Sequence, residues 1–317
     1  MMKATKPFSD HIQFLKNEIE NAIHQIPLEK TPAYFYDPIK YVLNGKGKRF
    51  RPILVHLVGD VYSSAPEKIM KAAISVELLH NFSLVHDDIM DEDDVRHGQP
   101  SVHKKWDNAT ATLAGDGLFV LSHSIITGLS KYIHQRFNEV TLAICEGQGM
   151  DKEFENDDSI TMGNYLVMIG KKTGALLGLC AELGSLIGND SKSDGHQLFE
   201  YGLNLGLAFQ IQDDYLEIYG DESTMGKSLG SDIRAGKQTA LSILARENHR
   251  DKWLEFIQKN DSISAYKAFF ESNGIKAETE TIIQHYIQKA QDGLNVIPER
   301  NRAHLNQFTT MILNRTY

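Results

Sequence analysis

The sequence predicts an all-α protein, a single large helical bundle, and three observations point that way. Apolar residues recur at three- and four-residue steps through most of the chain, the spacing of one helix face. No segment reads as the strict alternation of a half-buried strand. The 317 residues hold only eight prolines and no Pro/Gly/Ser-rich linker, so residues 1–317 are expected to form one domain. With 41% hydrophobic and 24% charged residues the chain has ample material for a core. Its net charge of −9 argues against a nucleic-acid partner.

The elements follow in order. Ser9 is placed to cap a first helix whose inner face carries Ile12, Leu15, Ile19, Ile23 and Ile26, with Pro27 ending it. A short helix over 35–43 stops before Gly45-Lys46-Gly47-Lys48-Arg49-Phe50-Arg51-Pro52. Helical spacing resumes from Ile53 to Val61, and again from Lys68 into an acidic stretch closed by Gly98 and Pro100. Ala109–Leu129 is apolar around Asp116, which is expected to be a satisfied buried carboxylate; Phe137–Gly149 continues in the same style, and 151–158 reads as an acidic loop. In Tyr165–Ile187, Gly170, Gly174 and Gly178 stand four apart, a spacing that admits a neighbouring backbone and weakens the helix enough to bend it. Phe199–Tyr219 is an apolar helix ending in acid, and 238–248, 251–258, 263–272, 277–292 and 299–314 read as surface helices. Cys145 and Cys180 are expected as two buried thiols in a reducing compartment. No secretion signal or bilayer-spanning run stands out, so a cytoplasmic protein without stable membrane insertion is expected.

The stretch that decides function is Asp87-Asp88-Ile89-Met90-Asp91-Glu92-Asp93-Asp94. At roughly 100° per residue, His80, Asp87 and Asp91 fall within a band about 40° wide. Two carboxylates one turn apart repel unless a cation lies between them. Alone, such a run is most simply a solvated helix end. It has an echo, however: Phe209-Gln210-Ile211-Gln212-Asp213-Asp214-Tyr215-Leu216-Glu217 again carries an apolar helix into paired aspartates with a carboxylate four positions on. Two such ends suggest facing carboxylate clusters for several metal ions. Cations accompany both. Lys48, Arg49 and Arg51 crowd one glycine-flanked turn, and Arg96 follows the first cluster. Lys171-Lys172-Thr173 interrupts the glycine-rich helix, and Lys227 and Lys237 follow the second cluster. Metal ions with Lys and Arg suit a diphosphate, and two basic groups suit two diphosphates.

These residues carry a family resemblance. Gly47-Lys48-x-x-Arg51-Pro52, Asp87-Asp88-x-x-Asp91, and Phe209-Gln210 with Asp213-Asp214-x-x-Glu217 resemble, in order, the motifs of the trans-isoprenyl diphosphate synthases, the polyprenyl synthetase family. Each pentapeptide is weak by itself; the ordered set is specific, and the likeness runs from about Tyr41 to about Gln238. The resemblance implies helices around a deep central cavity and a homodimer. It implies Mg²⁺, expected as three ions with Mn²⁺ as a substitute, held by Asp87, Asp91 and Asp213 with help from Asp88, Asp214 and Glu217. Arg96, Lys172, Lys227 and Lys237 would bind the diphosphate of an allylic partner. Gly47, Lys48, Arg51, His80 and His97 would hold isopentenyl diphosphate. Thr173, Gln210 and the bent backbone at Lys172 would offer oxygen dipoles to the allylic cation.

The sequence departs from the family pattern at two of these positions. His97 stands where the family usually has a second arginine, and Glu217 replaces the usual last aspartate of the second motif. Phe82 and Ser83, five and four residues before Asp87, occupy the positions that in the family act as a floor under the growing chain, which implies a short product of fifteen or twenty carbons. Wheel geometry does not by itself put Phe82 on the Asp87 stripe. Two other classes are open to such a sequence: a terpene cyclase, against which the Gly47–Pro52 turn argues, and a non-catalytic partner subunit, which only His97 invites.

Overall fold

The computed structural model describes residues 7–220, 237–260 and 262–314. The described residues are mostly helical, with one small hairpin. In chain order the helices are α1 Phe8–His24, α2 Ala33–Leu43, α3 Phe50–Val61, α4 Pro66–Met90, α5 Val102–Lys105, α6 Asn108–Ile126, α7 Lys131–Phe154, α8 Met162–Ile169, α9 Ala175–Asn189, α10 Lys192–Tyr219, α11 Ala240–Ile257, α12 Ile263–Ser272, α13 Ile275–Gly293 and α14 Ala303–Asn314. The chain divides into two compact units, each built from separate stretches. Unit 1 takes residues 1–139, 180–196 and 297–308, and unit 2 takes 140–179, 197–296 and 309–317.

In unit 1, α1 buries Leu15, Ile19 and Ile23, the predicted face. Its cap position is Pro7, not Ser9, whose hydroxyl instead meets Asp10. Proline fixes φ at a helix start and needs no side-chain cap there. Pro66 likewise opens α4. The centre of the unit is α4 against α6: Val76, Leu79, Ala114 and Leu118 are sealed between them. Gly115 makes room for the His86 ring, since a Cβ there would lie 2.2 Å from Nε2. Helix α4 ends earlier than the Gly98/Pro100 signal implies. Asp91 is its C-cap and Glu92 takes a left-handed φ of 56°. Then comes a small antiparallel hairpin, Val95–Arg96 (β1) with Gln99–Pro100 (β2). Its two-residue turn is His97-Gly98, both at positive φ (53° and 74°), the backbone a tight hairpin requires. Two-residue strands are too short to leave a legible alternation, which is why no sheet is expected from sequence.

In unit 2, Tyr165, Ile169, Leu207, Ile211, Ala240, Ile243 and Ile283 form one core and Ile218, Leu244, Trp253, Tyr266 and Phe270 another. The bend expected in the glycine-rich helix is a π-helical turn at Gly170–Gly174 between α8 and α9. Gly174 and Gly178 do admit a neighbouring backbone. The answering glycines on α10 are Gly206, whose Cβ would lie 2.5 Å from Gly174 Cα, and Gly202, whose Cβ would lie 2.2 Å from the Leu177 carbonyl. Gly170 is not needed for that approach, as its Cβ would make only ordinary contact. The residues read as an acidic loop begin inside α7, which runs on to Phe154. The C-terminal helices are less superficial than their sequence suggests, with Trp253, Phe270, Leu305 and Phe308 all buried.

Candidate active site

One cluster of candidate residues is built in unit 1 from the last turn of α4, the hairpin after it, and the loop entering α3. Asp87 and Asp91, one turn apart, lie at intermediate depth. Asp88 points inward, 3% exposed, and accepts from Arg96 Nε at 2.8 Å and from Arg96 Nη2. Burial raises the Asp88 carboxyl and the Arg96 guanidinium opposes that rise. Asp88 therefore holds the arginine that follows the acidic cluster. Asp93 adds a second contact to Arg96 Nη2 at 3.1 Å.

On the same helix, His80 Nε2 lies 3.0 Å from Arg51 Nη1. A guanidinium cannot accept a hydrogen bond, so the imidazole nitrogen accepts, which makes His80 neutral with its proton on Nδ1. Burial, then the Arg51 charge, holds His80 well below the ordinary histidine range, consistent with that tautomer. His80 thus orients Arg51 through its Nε2. The turn before α3 is held from below. Arg49, at φ 58°, sends Nη1 to Glu77 Oε1 (2.6 Å) and Nη2 to the Gly45 carbonyl (2.7 Å). A Cβ on Gly47 would lie 2.9 Å from Arg49 Nη1, so the guanidinium passes directly beneath this glycine. His97, at the hairpin tip, is lowered by burial first and then by the nearby charges of Arg96, Arg49 and Lys48.

Phe82, one turn before His86, stacks edge-on to His86 and packs on Phe119 of α6, with ring centroids 4.8 and 5.2 Å away. Ser83 turns its hydroxyl back to the His80 carbonyl at 2.9 Å. Asp116 is exposed on α6, not buried, and lies 3.8 Å from His86. Helical sequence context marked it as core; the face of α6 that carries it looks outward. Of the two cysteines Cys180 is buried and Cys145 exposed, against the expectation for the latter.

Another cluster is built in unit 2. Asp213 is at intermediate depth, while Asp214 and Glu217 are buried. Asp214 accepts from the Tyr165 hydroxyl (2.6 Å), the Ala240 N–H (2.9 Å) and Gln210 Nε2 (3.3 Å). The Ala240 donor is the N-terminus of α11, whose open N–H groups favour a carboxylate. Thr173 Oγ1 donates to Gln210 Oε1 at 3.2 Å, so Thr173, Gln210, Asp214 and Tyr165 form one chain of hydrogen bonds. It ties the π turn to α10. Lys172, in that turn, pairs with Asp151 at 2.5 Å. Gly147 permits the turn's position: a Cβ there would lie 2.3 Å from the Lys172 backbone nitrogen. Beside it, both polar side-chain atoms of Gln148 are buried without a hydrogen-bond partner. Lys237 precedes the Thr239 cap of α11, the helix that binds Asp214. Lys227 lies outside the described residues.

Among the described residues no group of three or more His, Cys, Asp or Glu side chains converges as a metal-binding set. Asp87 and Asp91, one helical turn apart and at intermediate depth, are an oxygen pair that would suit Mg²⁺, which takes one or two carboxylates and completes its octahedron with water and phosphate oxygens. Sequence reasoning passed over Glu77, Tyr165 and the Ala240 N–H. An acid one turn before His80 in an apolar helix was a usable signal for Glu77; nothing local marks a tyrosine 49 residues from the aspartate it serves.

The polyprenyl synthetase family profile matches residues 32–272. The chain is 32% identical to the geranylgeranyl diphosphate synthase of Methanosarcina mazei, across 97% of this chain and 98% of that protein. It is 31% identical to the geranylfarnesyl diphosphate synthase of Natronomonas pharaonis, across 98% and 99%. Among solved structures, the geranylgeranyl pyrophosphate synthetase from Pyrococcus horikoshii superposes with a TM-score of 0.89 at 32% identity, covering 97% of this chain and 98% of that one.

Proposed function

The chain belongs to the polyprenyl synthetase family, and from that premise we propose that it condenses isopentenyl diphosphate with an allylic diphosphate, head to tail. The products are a short-chain all-trans prenyl diphosphate, of fifteen or twenty carbons, and diphosphate. The observation that carries the reading is that one helix, α4, carries a carboxylate pair one turn apart, Asp87 and Asp91, and holds two guanidinium groups, Arg51 through His80 and Arg96 through Asp88. One donor set suits a metal, the other a phosphate.

The residues divide the work. Asp87, Asp91 and Asp213 are the carboxylates we assign to Mg²⁺, three ions in all, with Mn²⁺ able to replace it. Mg²⁺ when bound draws charge from the departing diphosphate. Asp88 holds Arg96, and Asp214 holds Gln210 and the head of α11; Glu217 backs Asp213 from one turn below. Arg96, Lys172, Lys227 and Lys237 bind the allylic diphosphate and stabilise the charge that grows on it. When the C–O bond breaks, its electron pair leaves with the diphosphate, and the Gln210 and Thr173 oxygens face the allylic cation. Gly47, Lys48, Arg51 and His97 bind isopentenyl diphosphate, and His80 aims Arg51. The isopentenyl double bond supplies the pair for the new C–C bond, and the released diphosphate takes the proton lost from the adjacent carbon.

Phe82 serves as the floor of the product channel, backed by Phe119. Phe82→Ala should lengthen the product by at least one five-carbon unit, read by sizing the chains; an unchanged length would remove Phe82 from this role. The protein acts as one synthetase domain in the cytoplasm and as a homodimer, with the apolar face of α6 (Leu113 and Val120, 42% and 59% exposed) against a second copy. That helix is long and apolar enough to cross a membrane by composition, but its other face is buried among α2 and α4. The deciding assay combines pure protein, Mg²⁺, labelled isopentenyl diphosphate and each allylic diphosphate in turn. Condensation with at least one starter is expected. None with any starter would leave a silent partner subunit, and a cyclic hydrocarbon from the allylic substrate alone would indicate a cyclase.

A further inference from the structure

Arg49 and Glu77 take no part in the chemistry just described, yet they are buried together beneath the turn that carries Gly47 and Lys48. Their side chains are 5% and 4% exposed and 2.6 Å apart. A buried ion pair is a poor device for stability alone, because apolar side chains of similar volume often replace one without loss. Its geometry points elsewhere. Arg49 caps α3 from a left-handed backbone conformation, and its guanidinium turns back beneath its own loop. One fork reaches the Gly45 carbonyl at 2.7 Å and the other reaches Glu77 on α4. That single side chain fastens both ends of the segment carrying Gly47 and Lys48. The Asn81 amide donates to the Glu77 carbonyl at 2.7 Å and lies 3.4 Å from Glu77 Oε1, so the carboxylate is itself braced. One turn past Glu77, His80 holds Arg51. Helix α4 therefore grips the turn twice, at Arg49 and at Arg51.

We propose that Glu77 is a positioning residue for the isopentenyl diphosphate half of the site: through Arg49 it fixes residues 45–49, and with them the donors of Gly47 and Lys48, without touching the allylic half. The proposal rests on the reading that residues 47–51 bind isopentenyl diphosphate. Its content is a split in the kinetics. A pin on this loop governs KM for one substrate, whereas a merely structural pair governs both substrates and kcat together.

Three variants carry the test: Glu77→Gln, Arg49→Lys, which keeps the charge but loses the fork, and the double variant Arg49→Met/Glu77→Met, which removes both charges and leaves no buried ion unpaired. Each is compared with wild type in KM for isopentenyl diphosphate, KM for the allylic partner, kcat and melting temperature. The expected result is a rise of about tenfold or more in isopentenyl diphosphate KM, with allylic KM and kcat within about twofold of wild type. Lys48→Ala runs alongside. If Lys48→Ala leaves isopentenyl diphosphate KM unchanged, the assignment of the loop fails; if it raises that KM and the double variant does not, only the pin fails. Parallel movement of both KM values and kcat, or loss of folding in every pair variant, makes the pair structural and overturns the proposal.

Discussion

His97 is one of the residues where this chain leaves its family's pattern, and its surroundings say what the change does. Burial and the cations Arg96, Arg49 and Lys48 hold its ring below the ordinary value of 6.5, so near neutrality it is an uncharged donor where the family has a guanidinium. Restoring arginine adds a charge-assisted hydrogen bond, worth roughly 1.5–3 kcal/mol. His97→Arg should lower isopentenyl diphosphate KM about tenfold above neutral pH. The gap to wild type should narrow as the pH falls and His97 protonates; a gap that stays constant with pH would disprove the charge argument. The left-handed backbone at position 97 does not forbid arginine, since Arg49 adopts the same conformation. At this scale the sequence was legible in residue type and poorly legible in depth. Asp88 and Asp214 stand in motifs of apparent metal ligands, yet the fold turns them inward to hold Arg96 and the head of α11. Asp116 and Cys145 sit in apolar sequence and face outward. A side chain's direction depends on which face of its helix finds a neighbour, and that is settled by residues far away.

At the scale of elements, the π turn at Gly170–Gly174 is where function meets packing. Within the turn, Lys172 is bound to Asp151 and Thr173 to Gln210. Gly147→Ala would drive a methyl carbon to 2.3 Å from the Lys172 nitrogen, and backbone cannot yield cheaply. We expect a lower melting temperature and a loss of about 10²-fold in kcat, the cost of displacing a catalytic group by an ångström. Retained kcat would show that the turn tolerates displacement. A second prediction concerns α1, α3 and α14. His56 is lowered to about 4, by burial first, against an ordinary value of 6.5. Asp60 raises it and His11 lowers it further; His11 bonds Asp60 at 3.1 Å and stacks on His304. Between pH 6.5 and about 4 the unfolded chain binds a proton at His56 that the native protein does not. Stability therefore falls as pH falls through that window and is unaffected by this group above it. His56→Gln should flatten that part of the pH–melting profile; an unchanged slope would assign it to other groups.

The whole molecule poses a question about exposed surface. On α6, Leu113 and Val120 stand seven residues apart on one face, both largely exposed. Large apolar side chains aligned on one helix face mark an interaction surface more often than isolated ones do. If that face meets a second copy, Val120→Asp should convert dimer to monomer in light scattering while the helical circular dichroism is kept. A wild-type protein that is monomeric at micromolar concentration would remove the dimer from the account.

Helix periodicity and the ordered motifs were local, so the sequence by itself determined the all-α class and the position of nearly every helix, and it marked the two carboxylate stretches and their basic neighbours as candidates. The tertiary structure alone decided how α4 ends at Asp91 and turns back through a hairpin, and that the Arg49 guanidinium passes beneath Gly47. It also decided that His80 serves Arg51 and that Glu77 holds Arg49. Those outcomes depend on contacts between residues such as Arg49 and Glu77, 28 positions apart. Spacing within one helix cannot encode a partner supplied by another.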